Sequence, residues 1–439
     1  MSMNEYFNQE MRSLLGDEYE AFEKARNSAQ TRAIRINNAK SSYTDLNAAG
    51  FSLGEKTPFN SDTYYLECEE KLGNHPFHIG GCYYLQEPSS SIVSDVLDVK
   101  SGDMVLDLCA APGGKSTQIL SKLDGKGLLW ANEINRQRCV TLLSNIERWG
   151  YDNYVISNNS PDELARSLKN SFDKVLVDAP CSGSSMFKKF PETEQEYNEA
   201  SVKACQKRQL EIMDKAYEML KEGGVLVYST CTFNLKENEE CLALFMDSHP
   251  DMHAIDCGVD WDRRGFDVAG HKGSYYRRVF PMDGGEGHFV AKMVKEGNES
   301  LKPLKQLDFS HNKVLDDFLK EYGIDSAYTI VGDNVYLCHQ KLINSSLRIM
   351  RQGILLGTIS KDRLELHHHF AVALLSLNNF NNIYEASDEE IEKYLKGESL
   401  NAKTAKGYVI IKYRGINIGL GKSDGRQIKN HLPKGLRVR

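Results

Sequence analysis

The chain has 439 residues, 41% of them hydrophobic and 26% charged, with a formal net charge of -7 at neutral pH. At roughly 150 residues per domain, that length allows two to four domains and a large buried core. The N-terminal run Met1-Ser2-Met3-Asn4-Glu5-Tyr6-Phe7 is polar and acidic, and no window of about 18 apolar residues occurs, so neither secretion nor membrane spanning is expected and the reading is a cytoplasmic protein.

Ten cysteines, at 68, 82, 109, 139, 181, 205, 231, 241, 257 and 338, lack the paired short spacings of a zinc site or disulfide framework and read as reduced thiols. The His367 to His369 run has no acid or cysteine at ligand spacing, and no metal is assigned.

In chain order, Glu5 to Ala29 reads as helical. Thr31 to Lys40 sets Arg32, Arg35 and Lys40 around Ile34 and Ile36, a basic strand suited to a phosphate backbone. Turn-rich stretches at 50–60 and 72–81 close a small N-terminal domain, placed at 1–82. Strands then alternate with helices from Met104 to Phe245, the pattern of a doubly wound α/β sheet.

The buried strand Met104 to Leu108 runs into Cys109-Ala110-Ala111-Pro112-Gly113-Gly114-Lys115 and a helix beginning near Ser116. A Gly-rich turn there lets backbone approach a ligand and aims free helix N–H groups at negative charge. A phosphate-binding P-loop would need glycine five residues before Gly114, where Cys109 stands. The next strand, Leu128 to Ala131, ends at Asn132-Glu133, and an acid at that position suits the hydroxyls of a ribose. An adenosine-type ligand follows.

Two further apolar strands, Lys174 to Val177 and Gly224 to Tyr228, each give way to a polar turn carrying a cysteine. The contexts are Asp178-Ala179-Pro180-Cys181-Ser182-Gly183 and Ser229-Thr230-Cys231-Thr232. If the strands are sheet neighbours, both sulfurs emerge at the ligand-binding edge, a thiol chemistry site. Gly284 to Met293 reads as a closing strand and 294–306 as a polar linker, which bounds the catalytic domain at 83–297. An intermediate α+β subdomain at 298–375 follows, with a helix near Lys313 to Tyr322 and strands at Tyr328 to Val331 and Asn334 to Cys338.

The acidic net charge conceals a basic C-terminus. Between Asn401 and Arg439 stand Lys403, Lys406, Lys412, Arg414, Lys422, Arg426, Lys429, Lys434, Arg437 and Arg439 against Asp424 alone. Tyr408 to Tyr413 alternates as a strand and glycines mark turns, so 376–439 reads as a folded β-rich module with an electrostatic footprint for phosphates.

Together these motifs resemble the Sun/Fmu-type RNA cytosine-5 methyltransferases, within them the RsmF branch, which modifies cytosine in small-subunit ribosomal RNA. The resemblance runs through Arg35-Ile36-Asn37-Asn38, Tyr84 to Ser90, Leu106 to Ser116, Asp178 to Gly183, Met186 to Lys189, Ser229 to Thr232, Gly285 to Phe289 and Gly421 to Arg437. It implies a Rossmann-like S-adenosylmethionine-dependent methyltransferase domain with a small N-terminal α/β domain and a C-terminal PUA-like module. It implies S-adenosylmethionine as cofactor, 16S ribosomal RNA or the small subunit as partner, and a monomer.

Carbon 5 of cytosine is a weak nucleophile, so such chemistry needs a thiolate to add first at carbon 6. By the resemblance Cys231 attacks, while Cys181 assists release and Asp178 holds the pyrimidine edge. The Thr-Cys context favours Cys231; in DNA cytosine methyltransferases the Pro-Cys motif supplies the nucleophile. Cofactor contacts carried over are Cys109 through Lys115, Glu133, Arg138 and Asp178. After the third strand, Tyr154 to Ile156, the family usually has an adenine-contacting Asp, where this chain has Asn158 and Asn159; a side-chain or backbone acceptor for the adenine is expected there, with Asn159 taken as the contact. RNA contacts are expected at Arg35, Lys188, Lys189, Lys422, Lys429 and Lys434. Methylation of another structured RNA, such as transfer RNA, and a non-catalytic ribosome-assembly role are the alternatives.

Overall fold

The computed structural model describes residues 4–67, 72–361, 363–374 and 380–438. Helices Glu5–Leu15 and Tyr19–Arg26 open the chain, the first capped by Asn4, whose side chain accepts from the Phe7 N–H. A 3-10 turn at Gly16–Glu18 separates them, so the expected single helix is broken where Gly16 takes a positive φ. Their apolar stripe, Phe7, Met11, Leu15 and Phe22, packs on Phe187, Tyr197, Phe233 and Phe280 from the catalytic half of the chain.

Strands β1 (Ala33–Ile36), β2 (Leu53–Lys56), β3 (Thr63–Leu66) and β4 (Tyr83–Gln86) form an antiparallel sheet in the order β2-β3-β1-β4. The β1–β4 pairing carries the N-terminal sheet to Gln86, past the boundary expected at residue 82.

The main sheet contains β5 (Met104–Asp107), β6 (Leu128–Asn132), β7 (Tyr154–Ser157), β8 (Phe172–Asp178), β9 (Leu220–Thr230), β10 (Met252–Ile255), β11 (Arg277–Val279) and β12 (His288–Lys295). The order is β10-β12-β9-β8-β5-β6-β7, with β5 through β9 parallel and β12 antiparallel to β9; β11 pairs with β12. Strand order reverses at β5, between β6 and β8, the switch point where open sheets bind ligands beyond their strand ends. Val, Leu and Ile on both faces feed two cores, each side chain worth about 1.5–3 kcal/mol when buried.

Beyond the linker, β13 (Tyr328–Val331) and β14 (Asn334–Leu337) appear where expected, followed by β15 (Ile349–Gln352), β16 (Ile354–Ser360) and β17 (Arg363–Leu366). Strand β15 leaves its own subdomain and pairs antiparallel with β7, Ile349 opposite Ser157, so the catalytic sheet gains an edge from outside the 83–297 segment.

At the C-terminus β18 (Ile383–Glu385), β19 (Leu400–Asn401), β20 (Gly407–Tyr413), β21 (Ile416–Ser423) and β22 (Gln427–Asn430) form a sheet ordered β18-β20-β21-β22-β19. Val409, Ile418 and Ile428 share one core with Ile34 and Tyr83 of the N-terminal sheet and Phe77 of the short helix Pro76–Ile79. The two ends of the chain are thus packed together.

Candidate active site

Beyond the end of β5 the loop Cys109 to Gly113 turns through a cis Ala111–Pro112 bond into the helix Gly114–Leu123. Gly113 has φ 112, and a Cβ there would lie 3.2 Å from Leu142 Cδ1, so the turn requires glycine. Arg138 Nη2 donates to the Ala111 carbonyl and Asn145 Nδ2 to the Pro112 carbonyl, each at 2.7 Å, and Ala110 N–H donates to the Asn132 carbonyl at 2.8 Å. The loop is therefore held from behind, with Cys109, Ala111, Pro112 and Lys115 lining a cleft of about 680 Å³. Ala110 and Gly114 line a smaller adjoining hollow.

Glu133, 3% exposed, lines the same cleft; it accepts the Asn135 N–H at 2.8 Å and lies 3.5 Å from Arg138. Asp107 is buried beneath the loop, its Oδ2 accepting from Ser116 Oγ at 2.6 Å while its Oδ1 has no partner. Burial pushes its carboxyl up to about 7. A Gly-bearing turn, a carboxylate at the second strand end and an orphaned buried acceptor fit the methionine and ribose parts of an adenosyl cofactor.

The adenine contact expected at Asn159 is not where the side chain is. Asn159 is buried and committed, donating to Glu163 Oε2 at 3.3 Å and accepting the Arg348 N–H at 3.1 Å. Asn158 is likewise engaged, with Glu133, Ile134 and Arg348. The approach of residues 348–352 to β7 ties up both amides, and Ile134, Ser160, Pro161 and Asp162 face the cleft instead.

The thiols meet. Strands β8 and β9 are parallel neighbours with Asp178 opposite Ser229, and Cys181 Sγ lies 3.3 Å from Cys231 Sγ. Cys181 is held well above the ordinary thiol range, first by its hydrogen bond with Cys231 and then by burial. Beside them Lys115 Nζ pairs with Asp178 Oδ2 at 2.8 Å, and Ser229 Oγ donates to Asp178 Oδ1 at 2.7 Å. Burial works against the Asp178 carboxylate, yet the positive charge of Lys115 holds it below the usual range.

Two groups in this constellation carried no signal in sequence. Glu237, fully buried, accepts from Ser182 N–H at 2.9 Å, Gln209 Nε2 at 2.8 Å, Asn234 Nδ2 at 2.7 Å and Ser182 Oγ. It joins the two cysteine turns, which also touch through Ser182 Oγ and Thr232 Oγ1 at 2.9 Å. His288, first residue of β12, lines the cleft with its Nε2 3.8 Å from Asp178 Oδ1. The five-residue Gly285 to Phe289 motif marked this stretch without singling out the imidazole.

Two expected RNA contacts are corrected. Arg35 is 2% exposed because β1 is an inner strand; its Nη2 donates to the Gly114 carbonyl at 2.8 Å and Thr117 Oγ1 at 2.7 Å, and its guanidinium stacks on Trp149. It braces the cofactor helix rather than facing a phosphate. Lys188 is spent on Glu286 Oε2 at 3.1 Å, with the Ala25 carbonyl at 3.2 Å, closing the N-terminal helices onto the site. Lys40, read with the same basic strand, is half-buried and donates to the carbonyls of Gly80 and Arg148. Lys189, Lys429 and Lys434 are exposed, while Lys422 lies over the Tyr408 ring.

Comparison with known proteins agrees with this architecture segment by segment. Residues 94–294 match the model of 16S rRNA methyltransferase RsmB/F. Residues 3–88 match the N-terminal domain of 16S rRNA methyltransferase RsmF, 310–374 the RsmF rRNA methyltransferase first C-terminal domain, and 381–438 the methyltransferase RsmF PUA domain. The chain is 32% identical to the ribosomal RNA small subunit methyltransferase F of Vibrio campbellii, over 92% of this chain and 91% of that one. It is 30% identical to its namesake in Shewanella oneidensis, over 92% and 90%. Among solved structures, a methyltransferase homologue protein from Pyrococcus horikoshii shares 27% identity with a TM-score of 0.58, over 66% of this chain and 94% of that one. The chain belongs to the RsmB/F family of 16S rRNA methyltransferases, with a Rossmann-like catalytic sheet and a C-terminal PUA domain.

Proposed function

We propose that this protein methylates carbon 5 of a cytosine in 16S ribosomal RNA, with Cys231 as the nucleophile and Cys181 and Asp178 managing protons. The observation that carries this reading is the 3.3 Å approach of the two thiols beside the Lys115–Asp178 pair, in the same cleft as Glu133.

S-adenosylmethionine, when bound, supplies an electrophilic methyl group on its sulfonium. The loop Cys109 to Lys115 would hold its methionine end and Glu133 the ribose hydroxyls, with Ile134, Pro161 and Asp162, which line the same cleft, placed to take the adenine. Arg138 acts through the loop, fixing the Ala111 carbonyl, with more than half its side chain in solvent.

The target base must leave its stack, at a cost of a few kcal/mol, to lie between Cys231 and Asp178. The Cys231 thiolate adds to carbon 6, and the electron pair released toward carbon 5 would take the methyl as the methyl–sulfur bond of the donor breaks and leaves a neutral thioether. The negative charge that develops on the ring is offset by Lys115, the cation paired with Asp178. Cys181 keeps its proton while its neighbour is a thiolate, because two negative sulfurs at this distance repel. Once Cys231 is bonded to carbon, that restraint is gone; Cys181 can lose its proton to solvent and, as the thiolate, accept the carbon 5 proton while the sulfur–carbon bond breaks and Cys231 leaves as a thiolate.

RNA is held outside the cleft. Lys189 lies at its rim, and Lys422, Lys429 and Lys434 present positive charge on the PUA domain. Transfer of label from methyl-labelled S-adenosylmethionine to 16S ribosomal RNA, mapped to 5-methylcytosine, tests the reading. Label recovered only in transfer RNA, or none in any RNA, would contradict it.

A further inference from the structure

His288 has a polar atom that the protein itself leaves unused. Its side chain is 4% exposed and lines the cleft, yet Nε2 has no hydrogen-bond partner. A buried acceptor or donor left unmade costs about 1–3 kcal/mol, so an orphan facing a substrate cleft marks a place where substrate completes the bond.

The backbone fixes this placement. Strand β12 runs antiparallel to β9 with Phe289 opposite Thr230, which brings His288 alongside the Cys231 turn. Gly287 before it has φ 126, and a Cβ there would lie 2.3 Å from Phe233 Cε1, so no other residue lets the chain enter the strand this way. The imidazole's neighbours are Lys115 and Asp178, with the Gly287 backbone bonded to the ring. With no partner on Nε2, the neutral tautomer that carries its proton on Nδ1 leaves Nε2 able to accept. Burial, then the positive charge of Lys115, keep the ring neutral down to about 3.

Two acceptors, His288 Nε2 and Asp178 Oδ1, therefore stand 3.8 Å apart beside the nucleophile. An amino nitrogen about 3 Å from each could give one N–H to each acceptor, at N–H···acceptor angles of about 150°. We propose, on the cytosine reading above, that His288 determines base specificity: its Nε2 accepts from the exocyclic 4-amino group of the target cytosine, next to Asp178. Uracil offers a carbonyl oxygen at that position, and two acceptors facing it would repel it.

The test uses the full-length protein and short RNAs around the mapped target, carrying either cytosine or 2-pyrimidinone, which lacks only the 4-amino group. His288→Phe should lower kcat/KM on cytosine about 10- to 100-fold while changing the 2-pyrimidinone reaction by less than about threefold. His288→Gln, which keeps an acceptor, should recover part of the loss. Equal losses on both RNAs, or loss of S-adenosylmethionine binding by both variants, would show a structural role and overturn the proposal. Failure of the unmodified protein to methylate any RNA would instead overturn the functional reading with it.

Discussion

Cys181 Sγ and Cys231 Sγ are 3.3 Å apart although fifty residues separate them in the chain. Parallel pairing of β8 with β9, Asp178 opposite Ser229, ends both strands at the same level and delivers both turns to one point. Everything else in the site is arranged around that pair.

Glu237 is the clamp on the two turns. Glu237→Ala leaves Ser182 N–H, Asn234 Nδ2 and Gln209 Nε2 without the carboxylate they share. At about 1–3 kcal/mol for each stranded buried donor, urea denaturation should show a loss of at least about 3 kcal/mol, with kcat reduced more than tenfold. Glu237→Gln, retaining one acceptor oxygen, should fall between. A loss under about 1 kcal/mol for the Ala variant would show that the turns do not depend on the clamp.

Two carboxylates beside the cofactor loop should affect stability with opposite sign. Burial raises Asp107 to about 7 in the folded protein, above the ordinary carboxylate near 4. Its contribution is therefore complete below about pH 4 and lost as pH rises through about 7. Asp178 is depressed, so its contribution is present above about pH 4 and lost as pH falls through its lower folded value. Thermal melting from pH 3 to 8 checks both: relative to wild type, Asp107→Asn should become less destabilising as pH rises, and Asp178→Asn less destabilising as pH falls. Parallel curves for all three proteins would contradict the assignment.

Lys422 and Lys429 lie directly opposite each other on β21 and β22, an arrangement that costs stability unless a polyanion covers it. Lys429→Glu should stabilise the free protein by roughly 0.2–1 kcal/mol while weakening its binding to RNA. The slope of log affinity against log salt should fall by about 0.7–0.9 for each phosphate that is no longer neutralised. Unchanged affinity and slope would place the RNA elsewhere. Deletion of 401–439 is a poorer test, because it would strip Val409, Ile418 and Ile428 from a core shared with Ile34 and Tyr83.

The catalytic sheet was legible because its signals are local: a strand, a Gly-rich turn and a helix need only contiguous residues, and β5 to β9 lie where apolar runs placed them. The cysteine turns were legible for the same reason. What escaped depends on contacts distant in sequence. Arg35 and Lys188 look like free cations until Gly114, Thr117 and Glu286 are brought against them. Asn159 looks like an adenine contact until Arg348 arrives with β15, 189 residues later. Glu237 is one acid among many in a polar run, and only the joining of three segments, around Ser182, Gln209 and its own turn, makes it a clamp.

The division of labour between the two thiols is tested most directly by mixing each variant with 16S ribosomal RNA and S-adenosylmethionine and looking for a denaturant-resistant protein–RNA band. Cys181→Ala should accumulate the covalent complex, because Cys231 still attacks while release is blocked, and Cys231→Ala should form no complex and transfer no methyl group. A trapped complex with Cys231→Ala and none with Cys181→Ala would reverse the roles and contradict the account.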